Sequence, residues 1–190
     1  MSVMRILGID TSLTATGLAR IDVSNHAHAD GLGHHADIDV CSVSAPKPGK
    51  DKSKRAMARR VNALIDQIEW CFRDDEPDAV GIEGLAYSAG NASAWVLAWV
   101  WGRTIELCER YDVPLTVVAT SARAKYATGK GNAPKDAVLL RAAQLFPDAG
   151  IGDNNEADAV IVGAVVAHQL GMPILPVTDY RTDVLAKLSD

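Results

Sequence analysis

The chain has 190 residues, 48% apolar and 23% charged, enough for one domain with a real core, which excludes disorder as its main state. Its three cysteines, Cys41, Cys71 and Cys108, lie far apart without a CxxC pair. That spacing excludes a disulfide scaffold and a cysteine-based zinc ribbon, and it fits a reducing compartment.

The net charge of −5 argues, as an average, against a nucleic-acid partner, but the charge is segregated. Residues 46–62 carry Lys47, Lys50, Lys52, Lys54, Arg55, Arg59 and Arg60 against Asp51 alone. Residues 120–141 carry Arg123, Lys125, Lys130, Lys135 and Arg141 against Asp136 alone, while residues 66–83 are acidic. A phosphate backbone responds to the local patch, although either basic run also reads as a solvated helix face. The first residues hold no apolar signal core. The longest apolar stretch, 92–101, is half of what a membrane span needs. A cytoplasmic protein with no membrane partner is the expectation.

In chain order, Arg5 to Asp10 reads as a buried strand that ends on an acid, and Leu18 to Val23 alternates as a second strand. A loop rich in His, Ala and Gly, 25–37, leads to a third strand over Asp39 to Ala45. Short connections suggest an antiparallel meander of these three. Apolar residues at 57, 61, 64, 65, 68 and 71 predict a helix from Ser53 to Phe72. Asp78 to Glu83 is a short buried strand, again closing on an acid. Residues 91–110 predict an apolar helix with Trp95, Trp99 and Trp101, and Pro114 to Ala119 a fifth strand. Helices follow at about 120–127, 134–146 and 154–170. The expected fold class is α/β: a mixed five-stranded sheet, three strands antiparallel and the rest parallel, with helices on both faces. Residues 1–175 form a single domain in this reading, and 176–190 a short C-terminal tail.

Three acids occupy telling places. Asp10 and Glu83 end strands, where acids point into the crevice of such a sheet, and Asp158 lies one turn into the last long helix. A carboxylate cluster needs cations, and oxygen ligands without sulfur suit Mg2+ or Mn2+. Each acid alone also reads plainly, Asp10 as a turn former and Asp158 as a helix-surface acid. His26, His28, His34 and His35 beside Asp30 and Asp37 read as a surface hairpin loop rather than a metal site. The segment from Gly129 to Lys135 lacks the GK[ST] ending of a nucleotide-binding loop. It reads as a phosphate contact or as a helix lead-in. Asp153 and Glu156 have the spacing of a capping box.

The stretches ILGIDTSLTATG, VGIEGLAY, KYATGKGNAPKDAV and NEADAVIVGAVVAH resemble, in order, the four motifs of RuvC-type Holliday-junction resolvases, enzymes of the RNase H-like fold. The likeness runs from Arg5 to about Gly171 and fits a bacterial member or one of the bacteriophage type. It implies Asp10, Glu83 and Asp158 as the catalytic acids, and Asp10 as a ligand shared between two ions per site. It implies Lys125 and Lys135 near the DNA phosphates or the scissile bond, with Lys125 counted among the catalytic residues. It further implies a homodimer acting on four-way or related branched DNA and leaving 5′-phosphate and 3′-hydroxyl ends. Lys130, Arg55 and Arg59 are further candidate DNA contacts. A partner helicase is not identified.

Two positions depart from the family pattern. Three residues before the last acid the family usually has Asp or His, whereas this chain has Asn155, a neutral candidate ligand on the same helix face. The family often has an aromatic wedge just after its second acid, and here Tyr87 is the candidate, one residue late. Asn155 motivates an alternative, a branched-DNA-binding protein with weak or no cleavage. GIDTSLTATG also resembles the first phosphate loop of actin-like sugar kinases, but those need two such domains and a second glycine-rich loop.

Overall fold

The computed structural model describes residues 3–27, 33–85 and 94–188. Strands β1 (Val3–Asp10), β2 (Thr16–Ala27) and β3 (His34–Val43) form the antiparallel meander. Helix α1 (Lys54–Arg73) leads to β4 (Ala79–Glu83), and α2 (Ala94–Arg110) to β5 (Leu115–Val118). Both later strands pair in parallel, giving the order β3-β2-β1-β4-β5. Helices α3 (Thr120–Thr128), α4 (Lys135–Leu145), α5 (Asn154–Gln169) and α6 (Asp179–Leu185) complete the chain.

The sheet has a core on each face. Leu7, Ile9, Val80 and Ile82 point toward α1 and α2, where Val61, Leu64, Ile65, Ile68, Val100 and Leu107 meet them. Ile6, Ala79 and Val118 point the other way, into a core built around α5. Side chains alternate along a strand, so Gly8 and Asp10 share the α5 side with Ile6, and Gly81 and Glu83 share it with Ala79. Parity alone therefore aims both strand-ending acids at α5.

α5 is buried all round, with every residue from Ala157 to Ala167 covered. It lies closer to the sheet than side chains permit. A Cβ on Gly8 would stand 2.1 Å from the Ala159 carbonyl oxygen, and one on Gly17 would stand 2.1 Å from that of Asn155. Glycine at these two positions lets helix backbone rest on strand backbone.

Three expectations are revised. The His-rich stretch is largely strand: β2 runs to Ala27 and β3 starts at His34, with Ala27 opposite His34 in register. Ladder hydrogen bonds, reinforced by a bond from His34 N to the Pro173 carbonyl (2.7 Å), override the loop-like composition there. Asp153 does cap α5, accepting from the N–H groups of Asn155 and Glu156, but the Glu156 carboxylate accepts from Gly152 N (2.8 Å) rather than from Asp153. The expected tail, 176–190, contains α6, and Arg181 on it is buried. Its guanidinium donates to the carbonyls of Tyr126 and Pro176 and lies over the Tyr126 ring. No described helix is long and apolar enough to cross a membrane.

Gly8→Ala forces α5 off the sheet, because the obstructing atom is backbone and cannot rotate away. It should cost roughly 2–3 kcal/mol, a fall in Tm of about 5–10 °C by thermal melting. An unchanged Tm would contradict the close approach.

Candidate active site

The ends of β1 and β4, neighbours in the sheet, carry Asp10 and Glu83 side by side, and the first buried turn of α5 brings Asp158 over them. One carboxylate oxygen from each of the three lies within 4.8 Å of the others. Among the described residues this is the one group of three or more acid, His or Cys side chains close enough to share an ion. Glu83 is held at the strand end: it stands opposite Val118 of β5, the next residue's N–H (Gly84) donates to the Val118 carbonyl (2.9 Å), and the Trp101 indole N–H on α2 donates to the Glu83 carbonyl oxygen (2.9 Å).

A fourth residue joins the cluster. Arg123, one turn into α3, is 2% exposed. Its Nε donates to Glu83 Oε1 (3.2 Å) and its Nη1 to Asp158 Oδ1. Arg123 figured in the sequence only as part of a basic run. Its signal was its place directly after the fifth strand, but facing the acids depends on the phase of α3, which composition does not reveal.

Helix phase also settles Lys125. Two residues along a helix is about 200°, so Arg123 and Lys125 cannot face the same way. Arg123 faces the acids, and the Lys125 ammonium pairs with Asp183 on α6 (2.9 Å). The structure thus does not bring Lys125 to the cluster, and its position ties α6 to α3 instead. Lys135, exposed at the start of α4, does reach the site. It lines a cleft of about 290 Å3 together with Asp10, Glu83, Arg123, Asn155, Thr11 and Ser12. Asn155, half-buried, thus stands at the cluster, as its spacing from Asp158 predicts.

Other expected site residues lie elsewhere. Lys130 is exposed in the turn between α3 and α4, where Gly129 supplies a left-handed cap (φ 81°). Arg55 and Arg59 are exposed on α1, Arg59 paired with Asp51 (3.0 Å). Tyr87 lies outside the described residues. A larger cleft, about 430 Å3, lies between β3 and the turn at Pro147–Ala149 and includes His34, His35 and Asp37. Volume therefore does not locate the chemistry; the acid cluster does.

The electrostatics of the cluster are those of a cation site. Burial, reinforced by the charge of Glu83 and a hydrogen bond with it, pushes Asp10 up to about 9, against the pull of Arg123. Burial pushes Asp158 up to about 7, again opposed chiefly by Arg123. Asp158 Oδ2 is buried with no hydrogen-bond partner among the described residues. Such an orphaned acceptor is costly unless something positive comes to it. Hard oxygen donors, an orphaned lone pair and mutual distances under 5 Å fit a divalent ion such as Mg2+ or Mn2+.

Both folded-state values lie above the 3.8 of an ordinary aspartate, so the folded chain keeps protons that the unfolded chain releases. Without metal, these groups favour folding most at low pH, and their contribution is lost as pH rises from about 4 toward 9. Melting in chelator should show wild-type Tm falling with pH relative to Asp10→Asn across that window. Parallel profiles would contradict it. An ion needs the ionised carboxylates, so its affinity should rise over the same range.

Comparison with known proteins gives a consistent result. No family model matches the chain. The crossover junction endodeoxyribonuclease RuvC of Chlamydia trachomatis serovar L2 is 30% identical over 166 residues, 86% of this chain and 91% of that protein. The RuvC of a Wolbachia of Brugia malayi is 25% identical over 158 residues, 83% and 90% of the two chains. The Thermus thermophilus RuvC structure superposes with a TM-score of 0.68 at 19% identity, covering 92% of this chain and all of that one. The same protein in complex with Holliday junction substrate gives 0.66 at 16%. The structural likeness establishes the fold, the RNase H-like arrangement that the sequence motifs implied, with the strand order seen here. Together with the sequence relatives, it means that this chain belongs to the RuvC family of crossover junction endodeoxyribonucleases.

Proposed function

We infer that the chain is a metal-dependent, structure-selective endonuclease that hydrolyses phosphodiester bonds of branched DNA, four-way junctions above all. The products would carry 5′-phosphate and 3′-hydroxyl ends. The observation that carries this reading is the buried Asp10–Glu83–Asp158 cluster, with its orphaned Asp158 oxygen, at the open end of the sheet. Divalent ions bound there supply a nucleophile from water at neutral pH and offset charge on the scissile phosphate. Mg2+ is the natural candidate, with Mn2+ able to replace it, and two ions per site is the stoichiometry that we favour.

The chain's own groups divide the work. Asp10, Glu83 and Asp158 would supply the anionic ligands, Asp10 being the one we take as shared, and Asn155 would supply a neutral amide oxygen. Lys135 stands at the mouth of the cleft, where its ammonium draws a phosphate toward the acids. Burial by α5 and α2 excludes water from the back of the site. This strengthens each charge interaction and fixes the carboxylates before substrate arrives. Lys130, Arg55 and Arg59 offer exposed cations for flanking phosphates, and Tyr87 is the candidate to stack on an opened base. α2 leaves Trp95 exposed and stacked on Trp99 (6.0 Å). It is the candidate face for a homodimer, whose two-fold symmetry would set two sites on the two like strands of a junction.

A second reading, branched-DNA binding with weak cleavage, is favoured by one specific observation. Asn155 gives the cluster an amide where a carboxylate would add charge.

A labelled four-way junction, a linear duplex and a splayed fork, each incubated with the chain and Mg2+, separate these readings. The expected result is paired symmetric nicks in the junction, reduced more than 100-fold in Asp10→Asn. Equal cutting of fork and junction would mean a broader debranching nuclease. Tight junction binding without cutting, in Mn2+ as well, would establish the binding reading, and a large gain of cleavage in Asn155→Asp would explain it. Lys135→Ala should weaken junction binding about fivefold and flatten its salt dependence. An unchanged salt slope would remove Lys135 from the interface.

A further inference from the structure

The acid cluster already contains a cation. Arg123 spans two of the three carboxylates, Glu83 through Nε and Asp158 through Nη1, and its side chain is 3% exposed. Its backbone lies in the first turn of α3, which follows β5 closely (Arg123 N donates to the Ala119 carbonyl, 2.9 Å), and the two hydrogen bonds to the acids hold the buried guanidinium there. The guanidinium occupies one oxygen of Asp158 and leaves the other unpartnered. Asp158 is thus divided between an internal cation and an open coordination position.

A divalent ion bound by Glu83 and Asp158 must approach a fixed positive charge in a buried setting, where repulsion is weakly screened. With all three acids ionised, Arg123 already offsets one of three negative charges, and Asn155 adds none. We propose that Arg123 is an internal counter-cation that holds Glu83 and Asp158 together before metal enters and competes with divalent ions for those two carboxylates. This gives Arg123 two opposed effects: it stabilises the metal-free fold and weakens the metal-bound one. The inference rests on the reading of the cluster as a divalent-ion site.

The test is Mn2+ binding to the full chain without DNA. Free Mn2+ is followed by electron paramagnetic resonance, and thermal melting is run with and without the ion. Arg123→Gln removes the charge. Its metal-free Tm should fall, its affinity for Mn2+ should rise about tenfold, and its Mn2+-induced gain in Tm should exceed that of wild type. Arg123→Lys keeps a charge but reaches one acid rather than two, so it should bind Mn2+ two- to fivefold more tightly than wild type. This second variant carries the test if Arg123→Gln does not fold without metal. Binding no tighter than wild type in the folded variants, with Asp10→Asn binding none, would overturn the proposal and make Arg123 an organiser of the ligands. If wild type and Asp10→Asn both fail to bind Mn2+, or bind it equally, the reading of the cluster as a metal site fails first.

Discussion

Everything at this site depends on how closely α5 lies on the sheet. Gly8 and Gly17 carry no side chain where the helix backbone crosses them, and the contact is one that a single methyl group would break. From that contact, the register of Asp158 over Asp10 and Glu83 follows without further adjustment. Asp10 lies two residues beyond Gly8 on the same face of β1, and Asp158 precedes Ala159, whose carbonyl rests on Gly8. A packing constraint in the core thus sets the spacing of three carboxylates at the rim. The apolar residues of α5 supply the energy for this, since the helix is covered throughout its middle.

Bringing three acids together under cover has a cost, and the structure shows how the chain meets it without metal. Burial raises the pKa of Asp10 and Asp158, so both hold a proton to higher pH than an ordinary aspartate, and a buried guanidinium bridges Glu83 and Asp158. An ion that enters must displace the protons and compete with the guanidinium for the carboxylates. Folding, proton release and ion binding are therefore one linked equilibrium at this site. The relatives' names describe crossover junction endodeoxyribonucleases, and in this chain the unpartnered Asp158 oxygen leaves the cluster with one acceptor free.

The sequence revealed the three acids because each ends or begins an element. A strand that closes on a carboxylate, twice, is a pattern that survives without coordinates, and strand parity then aims both at one face. Asn155 was legible for the same reason, one helical turn before Asp158. Arg123 was not, since Arg123 and Lys125 lie on nearly opposite sides of α3 and nothing in the composition says which side meets the acids. Nor was α6: it is seven residues long, too short for a period to stand out, and beside Val184 its other buried residue is Arg181, paired with backbone carbonyls and a tyrosine ring. The histidine-rich stretch reads as loop in the sequence because strand pairing is decided by a partner strand, which composition does not show.

The central claim is that this buried triad is an ion site whose open ligand is Asp158 Oδ2. Crystals of the full chain soaked in Mn2+, with diffraction collected at the manganese absorption edge, test it most directly. The account requires an anomalous peak within bonding distance of Asp158 Oδ2 and of an Asp10 or Glu83 oxygen. A map with no peak at the triad, the Arg123 guanidinium still closed on ordered carboxylates at saturating Mn2+, would contradict it.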